Sequence, residues 1–450
     1  MKFLELKNAR FHFVGIGGIG MCGLAEVLHN MGASVRGSDI SKNEQTEYLK
    51  TLGIQVEIGH NETHLHQPDV VVYSSAINKN NPEIQKARAL KIPLIPRAEA
   101  LAEIMRLKRG IAISGTHGKT TTTSLISSVF LAHQLDPTIV IGGRLDLIKS
   151  TAVLGTGEWL ITEADESDGS FHKLSPEIAV ITNIGADHLD YFKSFENIQK
   201  FFYEFALKIP FYGFAVVYGD DPLIKKLFEN FPKRIFYYGF KKENDFRIEG
   251  ELGAYKIFSD ENLLGEVKLN LPGKHNALNA LAAAVVSFKL GVSIESIQEG
   301  FRQFKGVDRR FHFKGETRGI KVYDDYGHHP TEVKVTLEAF KEKFPNHRLV
   351  VYFQPHRYSR TEHLWHEFVN SFALADVVFL ASIYPASEEP IPGITSERLA
   401  KEMKHAHCFY YSEKSQYVPK IIEELKPNDI FLTLGAGDGY KLGLDVLKGL

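Results

Sequence analysis

An α/β chain of three domains in series is the predicted fold class, and three observations predict it. Short runs of β-branched and aromatic residues alternate with helical patterns along most of the 450 residues. This is the rhythm of βαβ units that build mostly parallel sheets with helices on their faces. The rhythm restarts after residues 101–109 and again after residues 305–310, so these two stretches read as linkers. Glycine-rich turns follow directly on the opening strands of the first two blocks, at the strand ends where open α/β sheets hold ligands. The expected divisions are residues 1–104, 105–308 and 309–450, each long enough to bury its own core.

The first block opens with the strand pattern Arg10-Phe11-His12-Phe13-Val14, followed by Gly15-Ile16-Gly17-Gly18-Ile19-Gly20 and an amphipathic stretch through His29. Ala33-Ser34-Val35-Arg36-Gly37-Ser38-Asp39 reads as a second strand ending in an acid, and Val70-Val71-Val72-Tyr73-Ser74-Ser75 as a later one. Gly15, Gly17 and Gly20 form a GxGxxG turn between strand and helix, which lets backbone approach a diphosphate, while an acid placed like Asp39 suits a ribose hydroxyl. The block is therefore Rossmann-like. The same glycines would also serve tight helix–strand packing alone, and the motif does not separate a dinucleotide from a nucleotide sugar.

The second block carries the most specific signal. After the apolar run Gly110-Ile111-Ala112-Ile113 comes Ser114-Gly115-Thr116-His117-Gly118-Lys119-Thr120-Thr121, a strand, a glycine turn and a helix start. Such a turn aims backbone N–H groups and the positive end of the helix dipole at one spot. Lys119 then supplies a point charge for β/γ phosphates, and the Thr120 hydroxyl suits Mg²⁺. The spacing is shorter than GxxxxGK(S/T), because Ile113 stands where that pattern has its first glycine. Further strands at Trp159-Leu160-Ile161-Thr162 and Ile178-Ala179-Val180-Ile181 end in polar clusters. The first is Glu163-Ala164-Asp165-Glu166-Ser167-Asp168, hard oxygen ligands suited to Mg²⁺; the second runs from Asn183 to Asp187-His188-Leu189-Asp190. Neutral imidazole is an unusual Mg²⁺ ligand, but the acids beside it and the strand end make His188 a candidate second metal or phosphate contact. In Gly273-Lys274-His275-Asn276-Ala277-Leu278-Asn279-Ala280 the two Asn share one helix face, and a carboxamide can pair with both polar edges of adenine. The central domain is thus a P-loop ATPase-type, mostly parallel sheet that binds a nucleoside triphosphate.

The third block, also Rossmann-like, has strands at Ile320-Lys321-Val322-Tyr323, Arg348-Leu349-Val350-Val351-Tyr352, Asp376-Val377-Val378-Phe379-Leu380 and Ile430-Phe431-Leu432-Thr433-Leu434. Polar groups crowd the ends of the first two, in Asp324-Asp325-Tyr326-Gly327-His328-His329-Pro330 and Gln354-Pro355-His356-Arg357-Tyr358-Ser359-Arg360. Two guanidinium forks, Arg357 and Arg360, suit one carboxylate.

Composition bounds the partners. Hydrophobic residues make up 44% and charged residues 24%, ordinary for a soluble globular protein, and a net charge of −2 offers nucleic acid no global attraction. Cys22 and Cys408 have no metal-like spacing and suit a reducing compartment. The start, Met1-Lys2-Phe3-Leu4-Glu5, has no signal-peptide core, and no apolar run is long enough to span a bilayer, so a cytoplasmic location without membrane contact is expected.

Taken in order, the Gly115–Thr121 loop, Glu163 with its acid run, Asn183 to Asp190, Gly273 to Ala280 and the third-block clusters resemble the Mur ligase family over nearly the whole chain. Within it, Gly15–Gly20, Gly306-Val307-Asp308-Arg309-Arg310-Phe311, Asp324–Glu332 and Phe353–Thr361 resemble the branch that joins L-alanine to the lactyl carboxylate of UDP-N-acetylmuramate, a peptidoglycan precursor, through an acyl phosphate made from ATP. The resemblance implies that the diphosphate of this substrate lies at Gly15, Gly17, Gly18 and Gly20, with uridine near Asp39, His60 and Ser74. It implies that ATP is held by Gly115, Thr116, His117, Gly118, Lys119, Thr120 and Thr121, with Asn276 and Asn279 at adenine and Arg309 and Asp324 at phosphate and ribose. Mg²⁺ falls to Thr120, Glu163 and His188, with Lys119, Glu163 and His188 as the catalytic set. L-alanine falls to Tyr326, His328, His356, Arg357 and Arg360. The carbamylated lysine of other family branches has no counterpart in Phe201-Phe202-Tyr203-Glu204-Phe205. A branch that attaches a recycled tripeptide, L-Ala-γ-D-Glu-meso-diaminopimelate, is the alternative, and a monomer or homodimer is expected.

Overall fold

The computed structural model describes the chain except residues 1–5, Asp146, Lys149, Ser167, Asp168, His188 and Ser387. Three sheets carry it. The first is all parallel, in the order β3-β2-β1-β4-β5, from β1 (Arg10–Val14), β2 (Ser34–Asp39), β3 (Gln55–Ile58), β4 (Val70–Tyr73) and β5 (Leu94–Pro96). The strand order reverses between β1 and β4, which opens a crevice at their carboxyl ends, where the glycine turn lies.

The second sheet has ten strands, ordered β15-β14-β13-β12-β11-β10-β6-β9-β7-β8. Its centre is β6 (Arg109–Ser114) between β9 (Trp159–Glu163) and β10 (Ile178–Ile181), with β7 (Thr138–Leu145) and β8 (Ser150–Val153) at one edge. On the other side follow β11 (Phe214–Tyr218), β12 (Ile235–Gly239), β13 (Phe246–Glu251), β14 (Ala254–Ser259) and β15 (Asn262–Lys268). Ile111, Ala112, Ile113 and all of β10 are fully buried, the continuous apolar run expected of parallel strands covered on both faces.

The third sheet, ordered β16-β17-β21-β18-β19-β20, comprises β16 (His312–Thr317), β17 (Ile320–Asp325), β18 (Leu349–Phe353), β19 (Val377–Leu380), β20 (Cys408–Tyr410) and β21 (Ile430–Leu434). It is parallel apart from the β16–β17 pair. The insertion of β21 between β17 and β18 brings the ends of three sequence-distant strands side by side.

By packing, the chain forms two compact units: Met1–Glu249, Tyr255–Lys268 and Leu278–Lys305 in one, and Gly250–Ala254, Leu269–Ala277 and Gly306–Leu450 in the other. The first two sheets share the first unit because the helix Ile19–Asn30 lies across β7 and β8. There Gly23 leaves no room for a side chain, since a Cβ would come within 2.9 Å of the Ala152 Cβ. Buried Glu26 accepts from Ser150 Oγ at 2.9 Å and Tyr48 Oη at 2.8 Å. The expected linker 101–109 is corrected in part: Arg97–Met105 is a helix, because Ala98, Leu101, Ala102 and Met105 recur at helical spacing and bury one face. Among the described residues no helix is long and apolar enough to cross a membrane.

Candidate active site

The phosphate loop leaves β6 through Gly115, at φ +140°, and enters the helix Lys119–Ala132 through Gly118, at φ +85°. Both conformations favour glycine, and both positions are crowded. A Cβ at Gly115 would lie 2.0 Å from Thr182 Oγ1, and one at Gly118 would lie 2.5 Å from Asn279 Oδ1. The exit of β10 clamps the loop. Asn183 Oδ1 accepts from the His117 N–H at 2.9 Å, its Nδ2 donates to the His117 carbonyl at 2.9 Å, and Gly185 N–H donates to Thr116 Oγ1 at 2.7 Å. The helix start has no side-chain cap, so its first N–H groups are available to an anion.

Lys119 Nζ donates to the Gly115 and Thr116 carbonyls and to Glu166 Oε1 at 2.8 Å. Burial works to lower the Lys119 pKa, but Glu166, Asp165 and Glu163 outweigh it and leave the ammonium favoured. Burial pushes Glu166 up to about 7 in spite of Lys119, and its Oε2 has no hydrogen-bond partner among the described residues. Thr120 Oγ1 donates to Glu163 Oε2 at 3.0 Å, while Glu163 Oε1 accepts from the Gly142 N–H at 2.7 Å. Burial raises the Glu163 carboxyl, and those bonds oppose the shift. A hydroxyl and a carboxylate thus meet at the loop. Among the described residues no group of three or more His, Cys, Asp or Glu could hold a metal ion. The set fits Mg²⁺, which keeps water and phosphate oxygens in its shell and takes few protein ligands. His188 and Asp168 lie outside the described residues.

In the first sheet the glycine turn wraps on itself. Gly15, at φ +82°, donates to the Ser38 carbonyl at 2.8 Å, and a Cβ there would press on Ser74 and Ile77 at 3.3 Å. Gly17 N–H donates to Asp39 Oδ2 at 2.8 Å, so Asp39 secures the loop backbone. Gly18 precedes the helix Ile19–Asn30 without a side-chain cap, and a Cβ at Gly20 would come within 3.3 Å of Arg97. Ser38 Oγ lies 3.1 Å from His60 Nδ1. The turn, Asp39, His60 and Ser74 therefore line one strand-end edge.

The helix Lys274–Lys289 carries Asn276 and Asn279, both buried. Asn279 Oδ1 accepts from Thr122 Oγ1 at 3.2 Å, and Asn276 Nδ2 donates to the Pro272 carbonyl at 2.7 Å.

At the carboxyl ends of β17, β18 and β21, Arg309 pairs with Asp324 at 3.1 Å, donates to the Gly435 carbonyl, and lies 5.0 Å from the Tyr326 ring centre. The Tyr326 ring meets His328 edge-on at 5.3 Å, His328 lies 5.8 Å from His356, and His356 stacks on Tyr384 at 5.4 Å. Arg360 Nη1 approaches His356 Nδ1 at 3.4 Å. Burial, with Arg360 and His356 beside it, pushes His328 down to about 3 against the pull of Glu332; burial with Arg360 and Arg357 takes His356 to about 4. Both imidazoles are neutral near pH 7. Arg357 heads the helix Tyr358–His363 at φ +73°, a conformation that costs a non-glycine residue about 1–3 kcal/mol. Its N–H on the Tyr384 carbonyl at 2.8 Å and its carbonyl on Thr361 Oγ1 hold it there. Tyr326, His328, His356, Arg357 and Arg360 thus form one cluster.

Sequence reasoning did not single out Glu166, Asn183 or the Gly142 N–H. The first two sat inside recognised motifs, but which of four acids meets Lys119 depends on how the chain leaves β9. The Gly142 N–H has no side-chain signal at all.

Profiles of one family cover the chain. That of the Mur ligase family catalytic domain matches residues 10–109, that of the Mur ligase middle domain residues 113–287, and that of the Mur ligase glutamate ligase domain residues 309–437. UDP-N-acetylmuramate–L-alanine ligase of Bdellovibrio bacteriovorus is 62% identical over 453 residues, covering 99% of this chain and 100% of that protein. The crystal structure of UDP-N-acetylmuramate-alanine ligase from Thermotoga maritima matches with a TM-score of 0.83 at 29% identity, over 98% of both chains. A murein peptide ligase from Psychrobacter arcticus shares the fold, with a TM-score of 0.74 at 23% identity over 98% of both chains. Matched by three successive domain profiles and by a relative along almost its full length, the chain belongs to the Mur ligase family.

Proposed function

We propose that this enzyme joins L-alanine to UDP-N-acetylmuramate at the expense of ATP. The observation that carries the reading is 62% identity across 99% of the chain to a protein named for that reaction. The lactyl carboxylate oxygen attacks the γ-phosphorus of ATP, the bond to the bridging oxygen breaks, and ADP leaves. The amine nitrogen of L-alanine, its ammonium proton passed to water, then attacks the acyl carbon; the carbon–oxygen bond breaks, inorganic phosphate departs with its electron pair, and the second amine proton passes to water.

Both steps gather negative charge on oxygens, so positioning and electrostatics carry the catalysis. Lys119 and the uncapped N–H groups of the loop stabilise the transferring phosphoryl group. Thr120 and Glu163 would hold Mg²⁺, which supplies further charge neutralisation when bound. The ammonium reaches phosphate by exchanging Glu166 for it. His188 is assigned a second contact that keeps the lactyl carboxylate in line; normal turnover of His188→Ala at saturating Mg²⁺ would overturn that role. Asn276 and Asn279 are assigned to adenine, and Arg309 and Asp324 to phosphate and ribose.

In the third sheet Arg357 and Arg360 take the alanine carboxylate. Two imidazoles held at about 3 and about 4 are weak bases at neutral pH, so His328 and His356 line the site as neutral hydrogen-bonding groups rather than withdrawing the amine proton. Tyr326 closes the same wall. The glycine turn, Asp39, His60 and Ser74 take the UDP portion.

The test is phosphate release from ATP with Mg²⁺ and UDP-N-acetylmuramate, comparing L-alanine with the tripeptide L-Ala-γ-D-Glu-meso-diaminopimelate. Release with L-alanine alone is expected. Release only with the tripeptide would move the enzyme to the recycling branch.

A further inference from the structure

The first sheet contains a buried cluster centred on Glu83, a residue to which the reaction above gives no role. Glu83 lies in the first turn of the helix Pro82–Ala89, with its carboxylate fully buried. His12 Nε2 lies 2.7 Å from Oε2, and Ser38 Oγ donates to the same oxygen at 2.7 Å. Oε1 accepts from the Asn61 N–H at 3.2 Å and faces His60 Nδ1 at 3.2 Å and His64 Nδ1 at 3.4 Å. Burial by itself would raise this carboxyl, but the bonds from His12 and Ser38 overcome it and hold Glu83 at about 2. Glu83 is therefore ionised and acts only as an acceptor.

That has a consequence for His60. Ser38 has one hydroxyl hydrogen and gives it to Glu83, so towards His60 Nδ1, 3.1 Å away, the Ser38 oxygen only accepts. Both neighbours of Nδ1 thus require the ring hydrogen there. Neutral His60 is left with a lone pair on Nε2. The ring belongs to the strand-end edge that carries the glycine turn: Gly59 N–H donates to the Asp39 carbonyl at 2.8 Å, and the Asp39 side chain holds Gly17.

We propose that Glu83 sets the base specificity of the nucleotide-sugar pocket, by locking His60 in the Nδ1–H tautomer so that Nε2 presents an acceptor to the imide N–H of uracil. The proposal rests on the UDP-sugar reading above. Cytosine carries an acceptor at the equivalent ring nitrogen, which would leave two lone pairs facing each other, and an unpaired buried polar group is costly. Glu83 touches no substrate; it is a positioning residue that acts through His60.

Two measurements test this on the full-length protein. Proton–nitrogen correlation NMR of the histidine rings, with His60 assigned from the peaks lost in His60→Gln, should show hydrogen on Nδ1. Hydrogen on Nε2 would overturn the proposal without any need for a Glu83 variant to fold. Calorimetric titration with UDP and with CDP should show a preference for UDP that Glu83→Gln reduces about tenfold, the size of effect one charge-assisted hydrogen bond supports. In turnover, the same variant should raise KM for UDP-N-acetylmuramate and leave kcat and KM for ATP near wild type. An equal loss of affinity for both nucleotides, or an unchanged preference, would make Glu83 a purely structural residue and overturn the proposal. A wild-type protein that binds neither nucleotide would overturn the UDP-sugar reading itself, whereas UDP binding with the wrong tautomer defeats only this inference.

Discussion

The phosphate loop and the cluster at the third sheet both crowd charge at parallel strand ends, yet they meet the cost of burial in opposite ways. In the loop the Lys119 ammonium is compensated from within, by the Glu166 carboxylate 2.8 Å away and two backbone carbonyls. In the third sheet Arg357 and Arg360 stand beside His328 and His356, which burial and the guanidiniums keep uncharged. The first site balances its cation with a carboxylate and two carbonyls. The second holds two imidazoles neutral beside its guanidiniums, with the Glu388 carboxylate close to Arg357.

The largest expected effect comes from removing the loop cation. Lys119→Met should lower kcat by about a thousandfold or more, the scale of losing a charge aimed at a transferring phosphoryl group. Glu166 can then take a proton, so circular dichroism should be unchanged. Turnover within tenfold of wild type would show that Glu166, not phosphate, is the lasting partner of Lys119. Next in size, Arg360→Lys should raise KM for L-alanine about ten- to a hundredfold, because an ammonium cannot reproduce the two parallel bonds of a guanidinium. Steady-state kinetics should find KM for ATP unmoved; a matching rise there would mean the two sites are not chemically separate.

A smaller effect tests the support of the loop. Asn183→Ala removes the Asn183 bonds to the His117 N–H and carbonyl, leaving the carbonyl its bond from the Thr182 hydroxyl, and should cost about 1–3 kcal/mol in urea denaturation, with weaker ADP binding. Restoration of both by excess nucleotide would show the clamp acting through the loop.

The smallest effects are pH slopes, and they should have opposite signs. His328 and His356 fall from 6.5 to about 3 and about 4 on folding, so the unfolded chain takes protons first. Their contribution to stability is complete above pH 6.5 and is lost as pH falls towards 4 and then 3. Glu166 rises from 4.5 to about 7, so its contribution is complete below pH 4.5 and is lost as pH rises through 7. Urea midpoints of Glu166→Gln should therefore gain on wild type between those two pH values, and Mg²⁺-free ADP should bind a few-fold more tightly because no carboxylate competes for Lys119. Parallel pH curves for variant and wild type would remove the contrast between the sites.

Much of the molecule was legible before folding was considered, and the misses are instructive. The strand-end motifs announced themselves through local chemistry: glycines where φ is positive, Lys119 and Thr120 at a helix start, Glu163 at the end of β9, Arg357 and Arg360 after β18. The stretch 101–109 read as a linker because the strand rhythm restarts just after it, although Arg97–Met105 has a helical apolar face. The partners were not legible at all. Glu166 meets Lys119 across 47 residues, Asn183 meets His117 across 66, and Glu83 meets His12 across 71.

By itself, then, the sequence determined the α/β class, the restarts of the strand rhythm, the glycine turns and the kinds of side chain delivered to each strand end, because periodicity and turn chemistry are written into neighbouring residues. Only the tertiary structure decided which of those side chains meet. That choice follows from strand order, with β6 set between β9 and β10 and β21 between β17 and β18, and strand order is a result of burying apolar faces over the whole chain. No local pattern records it, which is why the carboxylate that holds Lys119 and the one that orients His60 emerged only from the fold.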